Sequence, residues 1–320
     1  MANVSVSVII PCKNIMHQIG NIIIEIAEEL KDTEAEFIVI DMNSSDESVI
    51  RALEVIKKQD LRGCVIQSCG GSISSPLNTG IYKSDGKYIT LVHPGRRYKN
   101  YIPAYLDTAD ETGAEFIIAK PSGDRAVSLS ENVRRKTGAS IKPDAAEVMS
   151  DLIYSRVYFD FYALVLKREF VLRHHIKFYE ECNYGYVEAF IYNLLLHSPQ
   201  IAFSDITLER LPESAGAGKE TASENINCYE RIDAMLKVYE TMKLQRRENL
   251  RLVEMFECQK LPSVIMSVAN MLRKQGFSTA AIKKSLKVKG YSTYLKVSSL
   301  TSPELKKKIF QFKLLPWAFQ

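Results

Sequence analysis

The sequence predicts an α/β fold, in which a mixed, mainly parallel β-sheet carries helices on both faces and is followed by a C-terminal helical region. In the first 120 residues, short β-rich segments alternate with segments whose apolar residues have helical spacing. From about residue 223 onward, only the helical spacing remains. The chain of 320 residues is 46% apolar and 25% charged, which excludes a disordered protein and is sufficient for a buried core.

Each element in the first part of the chain is predicted from its local pattern. Short runs of apolar and β-branched residues predict strands at Val4–Ile10, Glu36–Ile40, Cys64–Gln67, Tyr88–Val92 and Glu115–Ala119. Apolar residues three and four apart predict helices at Ile15–Leu30, Asp46–Lys58, a segment ending with Asn78–Lys83, and Tyr101–Thr112. Such an alternation is typical of a parallel sheet covered on both faces.

The second part of the chain is less regular. Residues 121–150 are polar and predict an irregular loop, and residues 151–212 predict mixed structure with a helix near Tyr186–His197 and a strand near Gln200–Phe203. The segment 212–218 (PESAGAG) has the composition of a linker. We therefore predict two domains, residues 1–212 and residues 213–320.

Composition narrows the cellular setting and the partners. The six cysteines form no CxxC pair and have no zinc-finger spacing, so we expect reduced thiols in a cytoplasmic protein. The first residues lack the pattern of a signal peptide, and no run of about 18 apolar residues predicts a membrane span. A net charge of only +4, without a nucleic-acid-binding motif, argues against a nucleic-acid partner.

In sheets of this kind, ligands bind beyond the carboxyl ends of the strands. The loops that follow the first four predicted strands are Pro11–Asn14, Asp41–Asp46, Gly70–Asn78 and His93–Arg97. Candidate binding residues are therefore sought in these loops.

Four motifs, in the right order along the chain, resemble those of the family 2 glycosyltransferases, which have the GT-A fold. They are I-I-P-C-K-N at residues 9–14, D-M-N-S-S-D at 41–46, L-N-T-G at 77–80 after Gly70 and Gly71, and G-K-Y-I at 86–89. A fifth, A-D-E-T-G-A-E at 109–115, matches the family's passage from helix to strand. The resemblance covers about residues 4–212 and implies a nucleotide-diphospho-sugar transferase-like, Rossmann-like fold.

The resemblance also implies a binding site for a nucleotide-sugar donor. Asp41 would accept a hydrogen bond from the base or the ribose, and the backbone near Pro11 and Lys13 would form the other wall of the base pocket. The residues assigned to donor binding are Pro11, Lys13, Asn14, Asp41, Ser44, Asn78, His93, Arg96 and Arg97. Without the family pattern, the simpler interpretation of Asp41 is a loop or helix-capping acid, and Ser44 and Ser45 could equally be helix N-caps.

The chain departs from the family at the residues that carry the chemistry. The family's D-x-D, which holds a divalent cation on the donor diphosphate, aligns with His93, Pro94 and Gly95, so no metal ligand is predicted. A Mg²⁺ or Mn²⁺ cofactor would lack its usual ligands, and we expect Arg96 and Arg97 to contact the diphosphate instead.

The family's catalytic base is also altered. The Asp of its E-D motif aligns with Ala189, while the preceding Glu188 is retained, which makes Glu188 the candidate general base. Residues one apart on a helix point about 100° apart, so the alternative for Glu188 is a solvated or salt-bridged helix residue. Two functions follow from the resemblance. The first is a glycosyltransferase that moves a sugar to a glycan or lipid-linked acceptor, in bacterial surface-polysaccharide synthesis. The alternative is a catalytically inactive relative that binds nucleotide sugars or acts as an interaction or regulatory subunit.

The basic charge is concentrated at the C-terminus. Residues 281–320 contain nine lysines and one acidic residue, Glu304, a net charge of +8, so the other 280 residues carry −4 of the overall +4. Residues 309–319 are also rich in aromatic and apolar side chains. We expect this segment to contact an anionic membrane surface, which would make the protein peripheral at the inner face of the membrane, or to pack on the body or in a homo-oligomer.

Overall fold

A computed structural model describes residues 4–68, 71–120, 144–198, 200–212, 227–245 and 250–315 of the chain. The described strands are β1 (Val6–Cys12), β2 (Ala35–Asp41), β3 (Gly63–Gln67), β4 (Tyr88–Leu91), β5 (Tyr98–Lys99), β6 (Phe116–Ala119), β7 (Leu164–Lys167), β8 (Ile201–Ser204) and β9 (Glu209–Arg210). Seven of them form one sheet in the order β3-β2-β1-β4-β7-β6-β8, and β5 pairs with β9 in a separate two-stranded ribbon.

The sheet is parallel except at one strand. Strand β1 is parallel to both β2 and β4, β2 to β3, and β6 to β8, whereas β7 is antiparallel to β4 and β6. All seven residues of β1 are buried, as expected for a central strand covered on both faces. The carboxyl ends of β1, β2, β3, β4, β6 and β8 therefore lie at one edge of the sheet.

Helices cover both faces of the sheet. The α-helices are α1 (Met16–Glu29), α2 (Ser48–Lys58), α3 (Ser74–Lys83), α4 (Tyr101–Thr112), α5 (Ala145–Ile153), α6 (Arg168–Arg173), α7 (Tyr186–His197), α8 (Glu230–Leu244), α9 (Leu250–Met255), α10 (Leu261–Lys274), α11 (Thr279–Val288) and α12 (Pro303–Leu314). A π-helical turn, Phe256–Lys260, joins α9 to α10, and a 3₁₀ turn, Tyr291–Tyr294, follows α11. Helices α1, α2 and α4 pack on one face of the sheet, and α3, α5 and α7 pack on the other.

The C-terminal helices share a core with the sheet. One apolar cluster runs from Ile9 and Ile89 in the sheet, through Phe190 of α7, to Phe256 and Ile309. Each of these side chains is at most 1% exposed. The C-terminal helical region is therefore packed directly on the α/β part, and the division at residue 212 stays a prediction.

The six strands predicted from the sequence are all present, including the one near Gln200–Phe203 (β8), and the predicted fold class is confirmed. The expectation of an irregular loop over 121–150 is wrong at its end, because α5 begins at Ala145. Asp144 caps α5 by accepting hydrogen bonds from the backbone N–H groups of Ala146 (2.7 Å) and Glu147 (3.3 Å). Residues 121–143, most of the predicted linker, and Gly70 lie outside the described residues.

Strand β7 has no counterpart in the prediction. It is only four residues long and buried, and a short apolar run of this kind has no period that distinguishes a strand from a helix. The described cysteines 12, 64, 182, 228 and 258 are free thiols, and Cys69 lies outside the described residues. Within the described ranges, no helix combines the length and the apolar composition needed to span a bilayer.

Candidate functional site

Two loops meet where β1 and β2 end. The register places Cys12 opposite Asp41 and Asp41 opposite Gln67, so the three strands end side by side. The pairing continues past the strands, because the Met42 N–H donates to the Cys12 carbonyl at 2.8 Å. The loop of residues 11–15 and the loop of residues 41–47 are thus neighbours at the edge where ligands bind in such sheets.

The two loops are tied to each other by hydrogen bonds. The Asn14 N–H donates to the Ser44 hydroxyl (3.0 Å), and the Ser45 N–H donates to the Asn14 side-chain oxygen (2.8 Å). Asn14 (φ 53°) and Asn43 (φ 59°) have left-handed backbone conformations, which asparagine adopts more readily than most residues. The asparagines therefore allow the tight turns that bring the loops together.

Asp41 is the buried acid of this site. It is 1% exposed, and both of its carboxylate oxygens lie 3.3 Å from the Ser44 N–H. The Cys12 thiol donates to the same carboxylate at 3.8 Å. Burial, followed by the charge of Asp41, raises the pKa of Cys12 to about 12, so this thiol stays protonated.

The starts of the next helices hold the loops in place. Asp46 accepts from the N–H of Met16 (3.1 Å), and the hydroxyl of Ser48 accepts from the N–H of Ile15 (2.9 Å). Each bond links the start of α1 to the start of α2. Pro11 is buried and Lys13 is exposed, so the same segment offers a buried wall and a solvent-accessible cation.

A tight turn follows the end of β4, at the residues that align with the D-x-D motif. The Arg96 N–H donates to the His93 carbonyl at 3.0 Å, which closes the turn. The Arg96 guanidinium donates to the Tyr98 hydroxyl (2.8 Å) and the Asp160 carboxylate (2.8 Å) and lies 4.9 Å from the ring centre of Tyr162. Arg96 is thus held by three side chains.

Arg97 is bound by helix α1 on one face of the sheet. It forms an ion pair with Glu25 of α1, and its side chain is only 10% exposed. Both arginines that the sequence assigns to the diphosphate therefore have an acidic partner within the chain. Direct contact of either arginine with a diphosphate would require its ion pair, Arg96–Asp160 or Arg97–Glu25, to exchange partners.

The residues at the end of β4 do not suit a divalent cation. Pro94 and Gly95 offer no side-chain oxygen, and the nearby carboxylate of Asp160 is already bound by Arg96 and by the Tyr98 hydroxyl. Across the described parts of the chain, no three His, Cys, Asp or Glu side chains are grouped as metal ligands. The geometry therefore gives no step that runs through a metal ion.

Asn78 faces another part of the chain. Its amide nitrogen donates to the Phe178 carbonyl (2.9 Å), and its amide oxygen accepts from the Phe178 N–H (2.8 Å). The side-chain amide of Asn78 thus forms two hydrogen bonds with the backbone of Phe178, as a neighbouring strand would. The geometry favours a role for Asn78 in fixing the segment before α7 over the donor contact that the sequence indicates.

Glu188, the candidate base, lies in a group of three charges. Lys260 donates to one carboxylate oxygen at 2.6 Å and Arg231 to the other at 3.0 Å, and the Glu188 and Lys260 side chains are 18% and 9% exposed. Burial raises the pKa of Glu188, but the charges of Lys260 and Arg231 outweigh it and hold the pKa at about 2. A carboxylate held by two cations is a weak base, so this geometry favours a structural role for Glu188 over the catalytic role that the sequence indicates.

The sequence did not point to Lys260 and Arg231 as partners of Glu188, because both follow the predicted linker and were assigned to a separate helical domain. One signal pointed to Lys260: it lies four residues after Phe256 and four before Val264, on an apolar stripe. A cation on such a stripe needs a buried partner. Arg231 also explains Gly185 (φ 84°), since a Cβ at that position would come within 2.9 Å of the Arg231 side chain.

Comparisons with known proteins agree with this architecture. The class that fold and site define is the GT-A-like α/β protein. The chain is similar to Staphylococcus aureus TarS 1–349 in complex with UDP-GlcNAc, with a TM-score of 0.65 and 16% identity over 97% of this chain and 87% of that one. It is also similar to the mannosyltransferase PcManGT from Pyrobaculum calidifontis in complex with GDP-Man and Mn²⁺, with a TM-score of 0.51 and 13% identity over 92% of this chain and 84% of that one.

The sequence also matches a family model. The model of glycosyl transferase family 2 matches residues 7–138, so the resemblance predicted from the motifs is confirmed over that part of the chain. A search of curated proteins finds no match.

Proposed function

We propose that the protein transfers a sugar from a nucleotide-sugar donor to a glycan or lipid-linked acceptor, in the synthesis of a bacterial surface polysaccharide. The observation that carries the proposal is the buried carboxylate of Asp41 at the junction of the two cross-linked loops. Similarity to structures that contain UDP-GlcNAc and GDP-Man supports this class of donor. We assign the transferase domain to residues 1–212 and a supporting helical region to residues 213–320.

The loops at the ends of β1 and β2 would bind the nucleoside. Asp41 would accept a hydrogen bond from a base N–H or a ribose hydroxyl, and its burial excludes competing water. Pro11 would form the opposite wall, and the exposed ammonium of Lys13 would be available to the diphosphate. The bonds through Asn14 and Ser44 preorganise the pocket, so little conformational entropy is lost on binding.

The charge of the leaving diphosphate would be offset by cationic side chains rather than by a divalent cation held by a D-x-D motif. Arg96 would reach the diphosphate if its bond to Asp160 were exchanged for bonds to phosphate oxygens, which a guanidinium forms in a bidentate manner. His93 lies in the same turn and has an imidazole that can donate to phosphate. Arg97 would contribute through the field of its charge while it remains paired with Glu25.

Titration calorimetry with UDP-GlcNAc, UDP and GDP-Man tests the donor site. We expect binding by the full chain and a loss of at least about tenfold in affinity for Asp41→Asn, since a charged hydrogen-bond acceptor contributes about 1.5–3 kcal/mol. Asp32→Asn, at an exposed position away from the loops, is the matched control and should bind normally. No binding of any donor, or an equal loss in both variants, would contradict the proposal.

A catalytically inactive relative is the second candidate function, and the charges around Glu188 favour it. The carboxylate nearest to the family's base is paired with two cations, and the aligned position next to it is Ala189. This candidate predicts donor binding without sugar transfer or donor hydrolysis, with or without Mn²⁺. Turnover that is lost in Asp41→Asn would reject it.

The cellular location of the protein is also part of the proposal. We infer that the protein acts in the cytoplasm, where sugar nucleotides are available and where free thiols persist. A lipid-linked acceptor would require the protein to come to the inner face of the membrane. Fractionation of cells that express the full chain would test this location.

A further inference from the structure

The C-terminal helices carry an open apolar groove that is bordered by lysines. Its cavity volume is about 470 Å³, and Val297, Lys306, Lys307, Phe310, Lys313 and Leu314 line it. We call these six residues the lysine groove. Nothing in the proposed sugar-transfer site uses them.

Helix α12 divides its apolar residues between the core and the surface. Leu305, Ile309 and Phe312 are at most 6% exposed and attach the helix to the body. Phe310 and Leu314, four residues apart on another side of the helix, are 54% and 64% exposed. Some of the apolar residues of this segment therefore pack on the body, and others face outward. The last residues, 316–320, lie outside the described ranges.

The border of the groove is positively charged. In the described part of the chain, no acidic side chain lies within ion-pair distance of Lys306 or Lys307. Lys313 donates to the Leu295 carbonyl (2.8 Å), and Lys283 of α11 donates to the Lys313 carbonyl (2.9 Å), so both ammonium groups are bonded to neutral backbone oxygens. The only acid of residues 281–320, Glu304, is in the first turn of α12, away from the exposed Phe310 and Leu314.

We propose that the lysine groove is a docking surface for an anionic lipid membrane. Exposed apolar side chains with lysines around them suit a bilayer interface, where the apolar groups enter the headgroup region and the lysines meet lipid phosphates. A symmetric contact with a second copy would place the same lysines against each other, and the repulsion disfavours it. The surface serves peripheral attachment and does not depend on donor binding.

Vesicle sedimentation tests the docking surface with the full chain. The probes are vesicles of phosphatidylcholine alone and of phosphatidylcholine with 30% phosphatidylglycerol by composition, on the order of 100 nm across. We expect binding to the anionic vesicles, weak binding to the neutral ones, and a decrease in binding as salt is raised. Lys306→Gln with Lys307→Gln should lower the partition coefficient about 30-fold, since each lysine near the surface contributes about a factor of five.

Two further variants separate the alternatives. Phe310→Ser should weaken binding about fivefold without loss of folding, because the side chain is half exposed. Lys57→Gln with Lys58→Gln, at the end of α2 on the opposite face of the sheet, is the matched control and should bind like the unmodified protein.

Some results would overturn the proposal. They are equal binding to neutral and anionic vesicles, no binding to either, or an equal loss in the α2 control. Sedimentation equilibrium that showed a dimer dispersed by Phe310→Ser would instead assign the groove to a second copy of the chain. Donor binding measured on the same preparations keeps failure of the docking surface distinct from failure of the transferase assignment.

Discussion

Replacing Glu188 with glutamine should strongly destabilise the fold. Lys260 is 9% exposed, and Glu188 is bound to it at 2.6 Å. The variant leaves the ammonium buried beside another cation, Arg231, without a compensating negative charge. Removing one partner of a buried ion pair costs about 3–5 kcal/mol, and that range is the expected loss in the free energy of unfolding.

The same ion pair should also make the stability of the fold depend on pH. The pKa of Glu188 falls from 4.5 to about 2 in the folded protein, which corresponds to about 3 kcal/mol of stability. Because the folded pKa is the lower one, this contribution is fully present above pH 4.5 and is lost as the pH falls towards 2. The Glu188→Gln variant should therefore lack this part of the acid destabilisation.

Urea denaturation followed by circular dichroism, at pH 7 and at pH 3, measures both effects. Glu54→Gln is the matched control, because Glu54 forms an exposed ion pair with Arg51 and its loss should cost less than about 1 kcal/mol. Combining Glu188→Gln with Lys260→Met removes both charges and should recover more than about half of the lost stability.

Two results would refute this reasoning. One is a Glu188→Gln variant no less stable than Glu54→Gln, which would mean that the three charges do not support the fold. The other is a variant of unchanged stability that has lost sugar transfer, which would restore Glu188 as the catalytic base.

Three further predictions concern the sheet and its loops. Asp46→Ala should lower stability by about 1–2 kcal/mol in thermal denaturation, since Asp46 accepts from the N–H of Ser48 at 3.0 Å and links two helix starts; Asp46→Asn should lose less. Gly80→Ala should lower the free energy of unfolding by about 1–3 kcal/mol in urea denaturation, because the added Cβ would come within 2.5 Å of Ile9 on β1. A gain in stability would contradict this close packing. The Cys12 thiol should resist iodoacetamide at pH 8 in the native protein and react after unfolding, as followed by mass spectrometry. The reason is that burial and a neighbouring carboxylate raise its pKa to about 12. Rapid labelling of the native protein would show that the site is open.

Much of the fold follows from local patterns in the sequence. The alternation of short β-rich runs with helical stripes predicted the five strands and the parallel arrangement around β1. The structure adds β7, which runs antiparallel between β4 and β6, and α5, which begins inside a segment predicted to be irregular. Neither was predictable, since four apolar residues have no diagnostic period and the pairing of β7 depends on residues about 50–80 positions away.

The sequence also located the loops of the candidate site. Asp41 and Asn14 were predicted to lie together because parallel strands end at one edge of a sheet, and the structure places them in the two cross-linked loops. That prediction needs only the order of the elements, because neighbouring strand ends are brought together by the topology itself.

The partners of the charged side chains were decided by tertiary structure alone. The sequence by itself determined that Glu188, Arg96 and Arg97 are present and that the D-x-D carboxylates are absent. Only the folded chain pairs Arg96 with Asp160, Arg97 with Glu25, and Glu188 with Lys260, across 64, 72 and 72 positions of sequence. A charge acts according to its neighbours in space and their exclusion of water, and those neighbours come from parts of the chain that no local pattern connects.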